Sequence, residues 1–145
     1  MKTITVRQPW ASLITCGAKL YENRSWKTSY RGPLLIHAAQ SIDCTRADWQ
    51  DELSDPDGPA LFPGLPSYDD LVKDRSVIVC RVELVDCLHI DEILDALPDD
   101  VEPHWSAGGP WAWLLANPVP VRSPVTKGKL GLWNYDGPLL TEAIA

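Results

Sequence analysis

The chain is poor in the residues that build metal sites and disulfide scaffolds. Its cysteines and histidines are Cys16, Cys44, Cys80, Cys87, His37, His89 and His104. The cysteines are widely spaced and form no C-x-x-C pair, so without evidence of secretion they indicate reduced thiols rather than disulfides. A zinc site needs ligand pairs at short spacing, which these residues do not supply. We therefore expect no metal ion, and no other cofactor is indicated.

Long hydrophobic runs are absent as well. No apolar run approaches the ~20 residues that a helix needs to cross a bilayer, and residues 1–6 lead into a strand-like alternation instead of a signal peptide. Hydrophobic residues still make up 45% of the 145 residues, which is enough for a real core. The composition predicts one soluble domain over residues 1–145, located in the cytoplasm and without a membrane partner.

Basic residues are outnumbered overall but concentrated near the start of the chain. The formal net charge is −7, which argues against a protein that coats nucleic acid indiscriminately. Residues 1–31 hold six basic residues and one acidic residue, a charge of +5, whereas the remainder carries −12. A positive face on an acidic body fits the capture of one small anionic ligand or a short single strand. The alternative is that these cations are merely solvated.

One segment packs two cations and a carboxylate into eight residues. The pattern G-x-K-x-x-E-x-R is formed by Gly17, Lys19, Glu22 and Arg24. The residues before it, 8–16, are predicted to form a short helix with Pro9 in its first turn and apolar residues on one face. Gly17 fits the left-handed position that commonly ends a helix, and residues 21–27 are predicted to be extended.

The alternation of a strand would place the charged residues of this segment together. Glu22, Arg24 and Trp26 fall on one side of the predicted strand, and Lys19 can reach the same side from the end of the helix. The segment therefore predicts a small charged site with an aromatic neighbour. A structural ion pair, worth ~0–1 kcal/mol if exposed, would use the same residues.

The motif and its surroundings resemble a known family. Residues 7–11, with the sequence RQPWA, followed by G-x-K-x-x-E-x-R, resemble the opening of an ASCH domain, a member of the PUA-like superfamily. Residues 30–38, YRGPLLIHA, resemble its second strand, and GPWAW, NP and GKLGLW between residues 109 and 133 resemble its closing strands. The resemblance spans nearly the whole chain. It implies that RNA, another single-stranded nucleic acid, or a nucleotide or nucleoside binds in a cleft beside the motif.

The resemblance also implies a second class of function. Some small ASCH proteins resemble hydrolases of modified nucleobases, such as N4-acetylcytidine amidohydrolases, and others look like ribonucleases. A partly desolvated lysine beside a carboxylate can act as a general base, and a fixed arginine can hold a phosphate or an oxyanion. Lys19 and Arg24 fit these roles by residue type and position.

The chain departs from the deacetylating members at Glu22, where they carry a threonine that is taken as their nucleophile. Glu22 could activate water or could only neutralise Lys19 and Arg24. Glu83, which lies in a predicted strand, and Glu102 are candidates for a second catalytic carboxylate.

The aromatic residues are unusually biased, with seven tryptophans against one phenylalanine. Trp10, Trp26 and Trp111 lie near a motif or at the start of a strand and are candidates to stack on a base, worth ~1–3 kcal/mol. Tryptophans in a small domain also pack in the core, so each is open to that alternative. The cations expected to position phosphate are Arg7, Lys19, Arg24 and Lys27.

Short strands and brief helices without β–α alternation define the fold class. In addition to residues 21–27, the segments predicted as strands are 3–6, 34–38, 76–87, 111–115, 119–122 and 130–135. The segments predicted as helical, in addition to residues 8–16, are 41–53, 68–73 and 91–97. This arrangement predicts an α+β, mainly β fold, a small barrel decorated by helices, which agrees with the PUA-like barrel that the resemblance implies. Prolines and glycines make residues 55–66 an irregular surface loop, either a flap over the site or a tolerated insertion.

Two functions from different classes remain open. The first is an RNA- or nucleotide-binding module, and the second is a metal-independent hydrolase of nucleoside or RNA substrates that uses Lys19 and Glu22. A scaffold that presents its acidic run at residues 86–102 to a protein has no positive support, because such a run is usually a solvated face. No obligate protein partner is indicated.

Overall fold

A six-stranded sheet with four short helices forms the architecture in this computed structural model, which describes residues 1–140. The strands are β1 (Lys2–Gln8), β2 (Tyr21–Arg24), β3 (Gly32–Ile42), β4 (Val77–His89), β5 (Trp111–Pro120) and β6 (Trp133–Asn134). The helices are α1 (Trp10–Cys16), α2 (Arg46–Ser54), α3 (Tyr68–Val72) and α4 (Ile90–Ala96), with a 3-10 turn at Pro59–Leu61. None of these helices is long and apolar enough to span a bilayer.

The sheet is mixed and open. Its strand order is β2-β5-β4-β3-β1-β6, with β1 and β3 parallel and the other neighbours antiparallel. The short strands β2 and β6 lie at its two edges, and no pairing within residues 1–140 joins them. The α+β prediction is therefore confirmed, whereas closure into a barrel is not.

The main core packs α1 against the central strands. Ile4, Leu34 and Ile36 from β1 and β3 are fully buried with Val82 of β4 and Trp113 of β5. Fully burying an aliphatic or aromatic side chain of this size contributes about 1.5–3 kcal/mol. This core fixes α1 on the sheet and thereby fixes the turn that follows it.

That turn is built on Gly17. Its φ is 91°, in the left-handed region that a glycine adopts without strain, and its N–H donates to the carbonyl of Ile14 at 3.1 Å. The backbone N–H of Lys19 then donates to the carbonyl of Leu13 at 3.0 Å. The predicted end of the helix at Gly17 is confirmed, and the turn directs Lys19 towards β2.

Several boundaries differ from those predicted. Strand β3 continues to Ile42 because it pairs in parallel with β1 as far as Gln8. The helix predicted at residues 41–53 consequently starts later, at Arg46, and Thr45 caps it by accepting from the N–H of Asp48. Residues 111–115 and 119–122 were predicted as separate strands, but β5 runs from 111 to 120 with an irregular register against β4.

The loop at residues 55–66 contains one regular element. Prolines and glycines were expected to prevent any regular structure there, but residues 59–61 form a single 3-10 turn. Proline suits this position because its fixed φ is compatible with the first residue of a helical turn.

Candidate functional site

Lys19, Glu22 and Arg24 meet at one point. Oε1 of Glu22 lies 3.4 Å from Nζ of Lys19, and its Oε2 lies 3.0 Å from a terminal nitrogen of Arg24. Lys19 is 6% exposed and Glu22 9% exposed. The structure thus brings the three predicted residues together, and their burial distinguishes them from an exposed surface ion pair.

Backbone contacts fix the two cations further. Nζ of Lys19 donates to the carbonyl of Tyr21. Arg24 donates to the carbonyl of Thr5 on β1 at 2.7 Å. Within residues 1–140, Nε of Arg24 is the buried side-chain nitrogen or oxygen that finds no partner. An unmade hydrogen bond of this kind costs about 1–3 kcal/mol.

The same burial changes the acidity of Lys19. Desolvation lowers the pKa of its ammonium group, the carboxylate of Glu22 opposes this effect, and the charge of Arg24 adds to it. A lower pKa increases the fraction of Lys19 that is a neutral amine, the form that can accept a proton.

The cluster lies in a cleft of about 650 Å³. The cleft is lined by residues from β1, the start of α1 and the turn after it, β2, β3 and the loop that follows it, α2, and the loops before β5 and β6. They are Thr5, Val6, Arg7, Trp10, Lys19, Glu22, Asn23, Arg24, Ala39, Asp43, Glu52, Trp105, Ser106, Lys129, Leu130 and Gly131.

Two predicted ligand-binding residues, Arg7 and Trp10, lie on one wall of this cleft. The indole N–H of Trp10 donates to Oδ2 of Asp43 at 2.8 Å, and Oδ1 of the same carboxylate lies 3.6 Å from Arg7. The ring of Trp10 also makes an edge contact with Trp49, with centroids 6.2 Å apart. Asp43 therefore orients a cation and an aromatic ring side by side.

A second wall of the cleft was not predicted. Asn23 binds the loop before β5 with both atoms of its carboxamide: Nδ2 donates to the carbonyl of Ser106 and Oδ1 accepts from the N–H of Gly108, each at 2.9 Å. This clamp places Trp105 and Ser106 on the cleft. The sequence offered one clue, the Trp-Ser-Ala-Gly-Gly run at 105–109, but its partner on β2 is more than eighty positions away.

Behind this wall, the buried Ser106 forms a polar cluster with the more exposed His104. The hydroxyl of Ser106 accepts from the backbone N–H groups of Leu20 and Tyr21 at 3.1 and 3.2 Å and lies 2.7 Å from Nδ1 of His104. The N–H of Ser106 donates to the same Nδ1 at 3.1 Å, so this nitrogen is an acceptor. Burial, followed by the nearby charge of Lys19, lowers the pKa of His104, which favours the neutral ring that these bonds require.

The other predicted residues lie outside the cleft. Trp26 packs edge-on against Trp113, with ring centroids 4.8 Å apart, on the main core. Trp111 packs edge-on against His89, and Nζ of Lys27 lies 5.3 Å from the centre of the Trp111 ring. Trp26 and Trp111 thus pack against other rings, and Lys27 lies over the ring of Trp111.

Neither candidate for a second carboxylate lines the cleft. Glu83 on β4 lies 3.8 Å from Arg81 in a half-exposed ion pair. Glu102 borders a smaller cavity of about 390 Å³ beside the loop at 57–63. Glu22 is thus the carboxylate that contacts both Lys19 and Arg24.

The ASCH domain family model matches residues 4–124, and the chain belongs to this family. The matched range contains both walls of the cleft up to Ser106. Among characterised proteins, activating signal cointegrator 1 of Homo sapiens is 28% identical over 142 residues, 92% of this chain. Activating signal cointegrator 1 of Mus musculus has the same identity and coverage. The chain spans 22% of the length of either relative.

Proposed function

We propose that this chain is a nucleotide-recognition domain that binds a nucleotide, free or within single-stranded RNA, in the cleft around Lys19, Glu22 and Arg24. The observation that carries the proposal is the buried charged cluster, which lines a cleft that Trp10 and Trp105 also line. A cleft of about 650 Å³ lies within the ~300–1,000 Å³ typical of small-molecule sites.

The cations suit a phosphate group. The guanidinium of Arg24 presents donors in a planar fork that matches phosphate geometry, and its side chain is 22% exposed. Arg7 is 63% exposed and stands beside Trp10. The carboxylate of Glu22 holds Arg24 in place before a ligand arrives, so little of the entropy of that side chain remains to be lost on binding.

The tryptophans suit a base. Stacking on an indole contributes ~1–3 kcal/mol and tolerates any base, because every base has a flat π face. Trp10 is fixed by Asp43 and Trp49, and Trp105 is fixed by the clamp that Asn23 makes on its loop. The base of a nucleotide can stack on an aromatic ring and its phosphate can bind a cation, and the cleft offers both kinds of side chain.

We further propose a cytoplasmic protein with no obligate protein partner. The four cysteines within residues 1–140 are free thiols, which suits a reducing compartment.

A metal-independent hydrolase is the second candidate, favoured by the lowered pKa of Lys19. In such a reaction Lys19 or Glu22 would take a proton from the attacking water, Arg24 would stabilise the oxyanion, and the same proton would pass to the leaving nitrogen or oxygen as its bond to the attacked centre breaks. The substrate would be a modified nucleoside of the N4-acetylcytidine type or RNA. Glu22 occupies the position where a threonine would be the nucleophile, so water must take that place.

One experiment tests both candidates. Wild type, Lys19→Ala and the control Lys73→Ala, an exposed lysine outside the cleft, are titrated with cytidine 5′-monophosphate, N4-acetylcytidine and an eight-nucleotide RNA. The mixtures are then resolved by chromatography and mass spectrometry. Binding that weakens in Lys19→Ala, without product, supports the recognition domain. Product that falls by ~10²–10⁴-fold in Lys19→Ala supports the hydrolase. Absence of binding and product in wild type overturns both.

A further inference from the structure

The charges of the cleft nearly cancel. Its lining residues include four cations, Arg7, Lys19, Arg24 and Lys129, and three carboxylates, Glu22, Asp43 and Glu52. The lining therefore carries a net charge of +1. Polynucleotide binding depends on neutralising several phosphates at once. The single excess positive charge of this lining matches only one phosphate group.

Three of the four cations are already paired. Glu22 holds Lys19 and Arg24, and Asp43 holds Arg7. Lys129 differs, because no carboxylate within residues 1–140 lies within 4 Å of its Nζ, which is instead 5.7 Å from the centre of the Trp133 ring. The cleft thus offers one cation that an incoming anion can bind without displacing a carboxylate.

Lys129 is held at the rim by an anchored segment. A Cβ on Gly128 would lie 2.7 Å from Oγ1 of Thr5 and 2.9 Å from the His37 ring, so the backbone is pressed against β1 and β3. Nε2 of His37 is 2.7 Å from the carbonyl of Thr126. Two contacts within three residues fix the backbone that carries Lys129, although its side chain is exposed.

Acidic residues of α2 are expected to oppose the binding of further phosphates at the cleft. Helix α2 supplies Glu52 to the lining and carries Asp48 and Asp51 in the preceding turns. Its basic residue, Arg46, is paired with Asp69. A strand that left the cleft along α2 would bring its next phosphate towards these carboxylates, and like charges brought together at an interface oppose binding.

From these observations we propose that the cleft takes a single nucleoside monophosphate, with Lys129 as its phosphate-binding residue and Trp10 and Trp105 around its base. This inference rests on the proposed function and narrows it to one base and one phosphate group. A longer RNA should gain little affinity over the single nucleotide that enters the cleft.

The test compares ligands of increasing charge. The full chain is titrated by calorimetry with the four ribonucleoside 5′-monophosphates, the matching nucleosides and an eight-nucleotide RNA of mixed sequence, at 50 and 200 mM salt. We expect the best monophosphate to bind within about tenfold of the RNA. We also expect the logarithm of its association constant to fall only weakly with log salt, because a single nucleotide lacks the condensed counterions that a strand releases on binding.

Lys129→Ala and Lys127→Ala form a matched pair, because Lys127 is an exposed lysine of the same segment outside the cleft lining. We expect Lys129→Ala to lower the affinity for the monophosphate to that of the nucleoside, about tenfold, and to leave nucleoside binding unchanged. Lys127→Ala should change neither.

Two results overturn this inference and leave the proposed function standing. One is RNA binding more than about 100-fold tighter than any monophosphate, with a salt slope of about −2 or steeper. The other is an equal effect of Lys129→Ala on nucleoside and monophosphate. Failure of every ligand to bind overturns the proposed function itself.

Discussion

Asn23 and Ser106 lie 83 positions apart and are joined by a 2.9 Å hydrogen bond from the carboxamide nitrogen of one to the carbonyl of the other. The carboxamide oxygen accepts from Gly108 at the same distance. One side chain on the edge strand β2 therefore fixes the loop that carries Trp105. The second wall of the cleft depends on this contact.

Replacement of Asn23 by aspartate tests that dependence. Asn23→Asp keeps the acceptor for Gly108 but turns the donor to Ser106 into an oxygen that repels the carbonyl. We expect a loss of about 1–2 kcal/mol in the free energy of unfolding, measured in urea, and a several-fold loss of nucleotide affinity. Asn134→Asp, on the exposed edge of the sheet, is the control. Equal affinities of wild type and Asn23→Asp would show that the loop does not need the clamp.

Glu22 is expected to be the costliest carboxylate to remove. Glu22→Gln leaves the buried Lys19 and the partly buried Arg24 without their counter-charge, and breaking a buried pair in this way costs about 3–5 kcal/mol. Glu83→Gln removes a half-exposed ion pair and should cost about 0–1 kcal/mol. The measurement is the midpoint and slope of chemical denaturation for both variants. Similar losses for the two would contradict the assignment of Glu22 as the centre of the cluster.

The lowered pKa of Lys19 should make the free energy of unfolding depend on pH in the alkaline range. Its folded-state pKa is lowered by burial from the model-peptide value of 10.5, so the unfolded chain binds the proton more tightly. The cost of keeping Lys19 charged is fully present below the folded pKa and disappears as pH rises from there through 10.5. The unfolding free energy of wild type should therefore rise relative to Lys19→Met over this range, by about 1.4 kcal/mol for each unit of lowering. Parallel pH curves for the two proteins would exclude a lowered pKa.

Gly128 is expected to tolerate no side chain. Gly128→Ala would place Cβ against Thr5 and His37, and overpacking of this kind costs about 1–3 kcal/mol. The shift of the segment should also weaken monophosphate binding through Lys129. Gly131→Ala is the comparison, because no atom lies within 4 Å of its added Cβ and its φ of 66° alone opposes the change. Monophosphate affinity that is lost in Gly131→Ala but kept in Gly128→Ala would refute the anchoring role.

The sequence predicted the part of the site that is local in the chain. Lys19, Glu22 and Arg24 follow one turn and alternate on one strand, so their spacing determines where they point. Trp26 was predicted to lie on the same side of the strand as Glu22 and Arg24, but β2 ends at Arg24. The alternation therefore does not extend to the indole, which packs on Trp113.

The remaining lining residues could not be read from local pattern. Trp105 and Lys129 lie in irregular segments whose position depends on contacts with distant strands, through Asn23 in one case and through Thr5 and His37 in the other. Spacing along the chain carries no information about such contacts. Closure of the sheet into a barrel is likewise a property of long-range pairing, and the pairs between residues 1 and 140 leave it open.

Thr5 makes three contacts, one with a residue of the cleft and two with residues towards the far edge of the sheet. Its carbonyl accepts from Arg24, and its hydroxyl accepts from the indole of Trp133 at 3.1 Å and lies 3.3 Å from Nδ1 of His37. A substitution at this position removes the hydroxyl contacts with Trp133 and His37, whereas the carbonyl that accepts from Arg24 belongs to the main chain and remains. The main chain of β1 thus serves the cleft while the side chain at the same position serves the packing of the far edge of the sheet, so variation of residue 5 acts on the second without removing the first.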